Sequence, residues 1–301
     1  MNQSQTRSLS EVLESFDTAD WNETVGANAQ GSAIAALEDG KVLFFRRLGF
    51  SLSADESRFL SPAFADEGAK NVSFDPATGK AKHARGTEAE ITAITAMMRR
   101  YHDRVHAFVT ALFPAYADAI RSGRTSFRPA EVRGRALSPR KDDSRLHVDA
   151  FPSTPTGGTR ILRVFTNVNP DGQDRAWRLG ASFEDVARTF APAIRPQLPG
   201  SARLLNAIGA TKALRTPYDH LMVNIHDAMK MDETYQAQVA QNDFDFPPGS
   251  TWIVFTDKAS HAAMGGQHLF EQTFYLPVAA MADETKSPLR ILERFAGRGL
   301  A

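Results

Sequence analysis

His147-Val148-Asp149 is the tripeptide in this sequence with the plainest chemical reading. In extended backbone, residues two apart face the same side, so the imidazole and the carboxylate converge on one point. His261 follows 112 residues after Asp149, behind the run Gly249-Ser-Thr-Trp-Ile-Val-Phe-Thr256, which reads as a strand entered through a Pro-Pro-Gly turn. Two imidazoles and one carboxylate on one face of a metal leave three positions open. That suits ferrous iron working with O2 and a chelating co-substrate such as 2-oxoglutarate. With eight histidines in the chain, an isolated H-x-D carries little weight. The later histidine, one β-rich span downstream, supplies the context. His268 is the rival third ligand. His261 is preferred because Ser260-His261 follows a strand and precedes the Gly265-Gly266 turn, whereas His268 opens the next strand.

2-Oxoglutarate needs a cation for its distal carboxylate, and arginine offers a two-pronged donor. The simplest place for one is soon after the distal histidine, but no Lys or Arg occurs from His261 to Thr285. The strand after the first two ligands, Arg160 to Asn169, is the alternative. By alternation Arg163, Phe165, Asn167 and Asn169 share one face, and Arg160 shares the other with Leu162, Val164 and Thr166. Arg163 is the expected anchor, with Asn167 beside it and Arg160 the second choice. The plainer reading leaves one or both arginines on a solvated sheet face.

Composition narrows the field. The 301 residues contain no cysteine, which excludes disulfides, zinc–thiolate sites, iron–sulfur clusters and thiol nucleophiles. Formal net charge is zero, but from Arg121 to Arg145 eight cations stand against three acids. Within that run Arg128, Arg133, Arg135 and Arg145 are candidates for a positive rim that gathers an anionic substrate, against the alternative of a solvated loop paired locally. Few aromatics interleave with these cations, so nucleic acid is not expected as a partner. The first thirty residues hold no apolar run like a signal peptide, and no stretch of about twenty apolar residues appears. A cytoplasmic protein, peripheral to a membrane at most, is expected.

The elements that must position these residues follow from periodicity. Residues 1–30 are polar and aperiodic and read as a loosely ordered segment; residues 31–301 read as a single domain. Short apolar runs between Ile34 and Phe50 suggest strands. Thr87 and Glu90 form a capping box ahead of Ile91, Ile94, Met98, Tyr101, Val105, Phe108 and Leu112, one buried helical face limited by Pro114. His102 and His106 lie one turn apart on that helix and lack a third ligand. After residue 145 the segments 160–168, 220–226, 250–256 and 268–277 read as strands, interrupted by a helix capped by Ser182. The expected fold is α+β with a mainly β core, a double-stranded β-helix of jelly-roll type with flanking helices.

Several longer segments resemble a known family. They are Arg140 to Ser153, Arg160 to Pro170, Ile225-His-Asp-Ala-Met-Lys230, Phe246 to Asp257, and Ser260-His261 through Glu271-Gln-Thr-Phe274. Together they resemble the 3-deoxy-D-manno-oct-2-ulosonic acid (Kdo) 3-hydroxylases of Gram-negative bacteria, from about Ala35 to Pro277. The resemblance implies a double-stranded β-helix using Fe(II), O2 and 2-oxoglutarate, with metal ligation at His147, Asp149 and His261. It implies as substrate an anionic sugar lipid, a Kdo–lipid A precursor hydroxylated at carbon 3 to give Ko, met in peripheral contact with the inner membrane. His226 and Lys230, placed after the strand expected at 220–226, are candidates for contact with the sugar. A same-class alternative is an oxygenase acting on a protein side chain or small metabolite. A non-catalytic jelly-roll sugar-binding protein is the alternative from another class.

Overall fold

The computed structural model describes residues 8–69, 71–131 and 138–301. Its centre is the strand Arg160–Asn167, whose alternating sequence gives one face to the core and the other to a cleft. In chain order the strands are β1 (Leu13–Phe16), β2 (Val42–Phe45), β3 (Val72–Asp75), β4 (Lys80–Lys82), β5 (Arg121–Arg128), β6 (Arg160–Asn167) and β7 (Arg175–Leu179), then β8 (Asn242–Phe246), β9 (Thr251–Phe255), β10 (His261–Gly265) and β11 (Leu269–Leu276). They form an eight-stranded sheet, ordered β1-β2-β9-β6-β11-β5-β3-β4, and a three-stranded sheet, ordered β10-β7-β8. The helices are α1 (Leu9–Val12), α2 (Ala27–Glu38), α3 (Ala54–Ser57), α4 (Glu88–Leu112), α5 (Phe183–Phe190), α6 (Ser201–Ala207), α7 (Pro217–Met231), α8 (Glu233–Gln238) and α9 (Pro288–Ala296). Sheets and helices together make an α+β protein.

The large sheet has two unlike faces. Phe127 of β5 and Phe270 and Phe274 of β11 point into the core with Tyr101 and Phe108 of α4. Helix α4 starts where its sequence says, with Thr87 Oγ1 accepting from Glu90 N and the Glu90 carboxylate returning to Thr87 N. Its buried row runs through Ile94, Met98, Tyr101, Val105, Phe108 and Leu112. Each such side chain contributes about 1.5–3 kcal/mol of burial. The Tyr101 hydroxyl meets Thr166 Oγ1 at 3.1 Å, fixing the helix to β6. Phe108→Ala, which opens the centre of that contact, would cost about 3–5 kcal/mol. The opposite face is divided: Val42, Phe44, Phe165, Trp252, Val254 and Leu269 pack against Trp177, Leu179 and Phe246 of the small sheet as a second core, and Arg163, Glu271 and Thr273 line a polar cleft beside it.

One expectation is corrected here. Residues 220–226 are not a strand but the middle of α7. Thr216 caps that helix reciprocally with Asp219, and Pro217 occupies its first turn. Tyr218, Met222, Ile225 and Met229 are buried at helical spacing, so the 3.6-residue period overrides the β-like run Leu221-Met-Val. Within the segment 1–30, expected to be loosely ordered, the described residues 8–30 carry α1, β1 and the start of α2. β1 pairs in parallel with β2, Val12 and Leu13 are buried, and the buried Trp21 donates its Nε1–H to Gly49 O at 2.7 Å. Few apolar residues hold this segment: Val12 and Leu13 join the second core, Phe16 stacks on Phe45, and Trp21 meets Phe108 of α4 edge-on. The strands expected at 160–168, 250–256 and 268–277 are β6, β9 and β11.

Candidate active site

His147 and His261 occupy one rung of an antiparallel pairing. His147 N–H donates to His261 O at 3.0 Å, and His261 N–H returns to His147 O at 2.9 Å. Ala263 N–H bonds Asp143 O at 2.8 Å, so residues 143–147 run alongside β10 as an irregular outer strand. On the far edge the Gln236 side chain substitutes for a further strand: it accepts from Leu146 N at 2.9 Å and donates to Leu146 O at 3.0 Å. Asp149 is fixed by its N–H to Thr256 O, just past β9, at 2.8 Å. Alternation holds across this stretch. Val148 is fully buried in the main core, while His147 and Asp149 turn to the cleft.

The geometry answers the question of a metal. The three side chains bring one ligand atom each within 4.8 Å of one another, and no other trio of such groups converges in this way among the described residues. His147 Nδ1 lies 2.7 Å from Arg145 O and His261 Nδ1 2.8 Å from Ala259 O. A carbonyl only accepts, so both Nδ1 atoms carry the proton and both Nε2 lone pairs are free to ligate. Burial, the adjacent His261 and Lys230 hold His147 well below its ordinary range; burial also lowers His261, against the pull of Asp149. Burial works to raise Asp149, but Arg163 and the two imidazoles outweigh it and hold the carboxyl at about 2. Neutral imidazoles and an ionised carboxylate are the forms a divalent cation requires. The Trp177 ring stacks on His261 at 5.0 Å and fixes its plane.

The ligands lie in a cleft of ≈ 860 Å³ between the two sheets. Eight cationic and four carboxylate side chains line it. Arg163 faces the cleft as alternation requires, but its Nε lies 3.3 Å from Asp149 Oδ2 and its Nη1 3.4 Å from Glu271. Arg175, which the sequence reading passed over, is 2% exposed. Its Nη1 donates to Gly266 O at 2.8 Å, and its Nε has no partner. Burial, then repulsion from Arg128, pulls Arg175 down to about 9. The indole Nε1 of Trp177, also on the cleft, is likewise unpartnered. β7 pairs with β10 so that Ala176 meets Gly265, with a bulge between Ala263 and Gly265. A buried cation on the neighbouring strand thus lies beside the segment after His261, where the sequence has none. Gly266 makes room for it: at φ +108°, a Cβ there would lie 2.8 Å from Asp174 O and 3.0 Å from Arg175 Cδ.

Other expected site residues separate into two groups. Arg128, His226 and Lys230 line the cleft. Arg128 Nε donates to Asn71 at 3.0 Å, the His226 ring lies 5.4 Å from that of His147, and the buried Lys230 amine is 3.4 Å from Asp143. Arg160, Asn167 and Arg145 do not reach it. Arg160 is fully buried behind β6, paired through two nitrogens with Asp257 at 2.7 and 3.1 Å under Phe255. Asn167 spends its amide on Gln173 O and Phe246 O, both at 3.0 Å. The Arg145 side chain bonds Lys230 O and Glu233, and only its carbonyl serves the site. Arg133 and Arg135 lie outside the described residues. His268 is buried away from the cleft, and His102 bonds Asp103 and Ser122.

A His-x-Asp…His facial set opening on a cleft with a buried guanidinium that no carboxylate neutralises defines a non-haem Fe(II), 2-oxoglutarate-dependent dioxygenase. Residues 20–299 match the family model described as 3-deoxy-D-manno-oct-2-ulosonic acid (Kdo) hydroxylase, and the chain belongs to that family. It is similar to the Kdo hydroxylase KdoO solved with α-ketoglutarate and Fe(III), at 45% identity over 96% of this chain and 97% of that one, TM-score 0.94. The apo structure of KdoO matches with the same identity, coverage and TM-score. Its complex with succinate and Fe(III) matches at 44% identity, over 96% and 97%, with TM-score 0.92. No curated protein matches the chain.

Proposed function

We propose that the enzyme hydroxylates the Kdo sugar of a Kdo–lipid A precursor at carbon 3, giving Ko, with 2-oxoglutarate converted to succinate and CO2. The carrying observation is the charge of the cleft. Twice as many cations as carboxylates line the space before the triad, which suits a sugar acid attached to a phosphorylated lipid. The two facing sheets are read as halves of a double-stranded β-helix, with the site between them.

His147, Asp149 and His261 would hold the iron. Bound there, Fe(II) supplies the coupling of O2 reduction and 2-oxoglutarate decarboxylation to C–H hydroxylation. The chain's residues do the positioning. Arg175, with Arg128 near it and the Trp177 indole beside it, is read as the receiver of the distal carboxylate, in place of Arg163. An anion there would relieve the repulsion of two guanidiniums and satisfy two buried donors. Arg163 then keeps Asp149 ionised and oriented. His226 and Lys230 on α7 face the triad across the cleft, where the sugar would sit.

The test is turnover of purified Kdo–lipid A with Fe(II), 2-oxoglutarate and O2, followed by mass spectrometry and succinate assay. The expected result is gain of one oxygen on Kdo with equimolar succinate, lost in Asp149→Ala. Oxygen gain on another sugar carbon, or none with succinate formed only in the presence of a peptide, would overturn the assignment.

A further inference from the structure

The segment from Ile194 to Thr216, carrying α6, does not fit the surface of an ordinary globular protein. Seven large apolar side chains are exposed among the described residues, and four fall here: Leu198 at 76%, Leu204 at 62%, Ile208 at 67% and Leu214 at 55%. A fifth, Phe295, lines an apolar cavity of ≈ 270 Å³ that also takes in Pro196 and Gln197 from the base of this segment. Scattered exposed leucines need no explanation, but a cluster does.

Charge points the same way. From Val186 to Tyr218 the sequence has five cations, Arg188, Arg195, Arg203, Lys212 and Arg215, and no Asp or Glu. Arg195, Arg203 and Lys212 are exposed among the apolar residues. The segment is pinned at its base, where Gln197 donates to Arg215 O and the His220 ring meets Arg195 O. It is also tied to the mouth of the active cleft: Lys212 N–H bonds Ser153 O at 2.9 Å, Arg215 donates to Pro152 O at 2.8 Å, and Lys212 itself lines the cleft.

We propose that this segment is a membrane-docking face whose occupant is an anionic lipid bilayer. Leu198, Leu204, Ile208 and Leu214 enter the headgroup–acyl boundary, and the surrounding cations pair with lipid phosphates. The face sets the cleft mouth at the height of a headgroup, which rests on the reading of the substrate as a lipid-anchored sugar.

The experiment is flotation of the full chain with vesicles free of Kdo: phosphatidylcholine alone, and phosphatidylcholine with about one third phosphatidylglycerol. Wild type should float with the anionic vesicles at low salt and weakly with the neutral ones. Leu204→Ser/Ile208→Ser/Leu214→Ser should lose about tenfold or more in vesicle affinity. The triple variant should keep its melting temperature and its turnover of a water-soluble, deacylated Kdo oligosaccharide. Absence of wild-type flotation, or equal flotation of the variant, overturns the proposal. Because the vesicles contain no sugar, a failure of the substrate assignment leaves this readout intact.

Discussion

The proposed co-substrate site turns on Arg175, whose buried charge has no carboxylate partner among the described residues. Arg175→Leu should raise the KM for 2-oxoglutarate about ten- to a hundredfold, the worth of a charge-assisted pair, with a smaller change in kcat. The ligand-free variant should melt no lower than wild type, since an uncompensated buried cation is replaced by an apolar group. A lower melting temperature with unchanged KM would make Arg175 purely structural. Arg163→Ala should instead depress kcat and metal affinity, through Asp149. The triad itself was legible in sequence, because ligand spacing and strand alternation are local properties. Arg175 was not, because its meaning arises only when β7 registers with the bulge in β10. Yet Arg175, Trp177 and Leu179 alternate with half-buried neighbours, and that pattern was available to find the strand. Arg160 misled for the converse reason: Asp257, which neutralises it, lies 97 residues away.

Between elements, the buried Lys258 ties the end of α2 to the turn before α9, donating to Glu38 O and Lys286 O at 2.8 Å each. Burial lowers its amine to about 8. Both folded and unfolded chains carry the proton below that value, so the cost of the buried charge is fully present there. As pH rises the folded state releases the proton first, and stability increases toward the unfolded value near 10.4. Unfolding free energy should therefore gain about 2 kcal/mol between roughly pH 8 and pH 10, and that gain should vanish in Lys258→Met. Denaturant titrations at the two pH values read it directly; identical pH slopes in both proteins would refute it. Helix ends were the most legible elements, since Thr87 and Ser182 announce themselves by the acid three residues on. The same grammar was present at Thr216 and Asp219, but a β-branched, apolar run obscured it.

Across the whole molecule, charge is laid out in two depths. Arg175 is buried and Arg163 half-buried in the cleft, whereas Arg124, Arg140 and Lys212 are exposed at its rim. Screening acts over roughly 8 Å at physiological ionic strength and reaches exposed charges far more than buried ones. Added salt should then raise the KM for the anionic sugar lipid several-fold while leaving that for 2-oxoglutarate nearly unchanged. Steady-state rates at two ionic strengths check this, and parallel changes in both constants would mean that both ligands are held at the rim. The overall charge of zero hides this arrangement. Composition could point to the basic run from Arg121 to Arg145, but only folding shows that Arg145 leaves it and that Arg175 and Lys212 join.

Both histidine ligands sit on one hydrogen-bonded rung, with their tautomers already chosen by backbone carbonyls and the outer edge clamped by Gln236. Two of the three ligands are therefore held in register by the backbone itself. Two imidazoles and one carboxylate are donors that other divalent ions also accept, and in intrinsic affinity iron ranks below cobalt, nickel, copper and zinc. Metal availability then bears on which ion the site carries, and excess zinc should compete with iron for these three side chains.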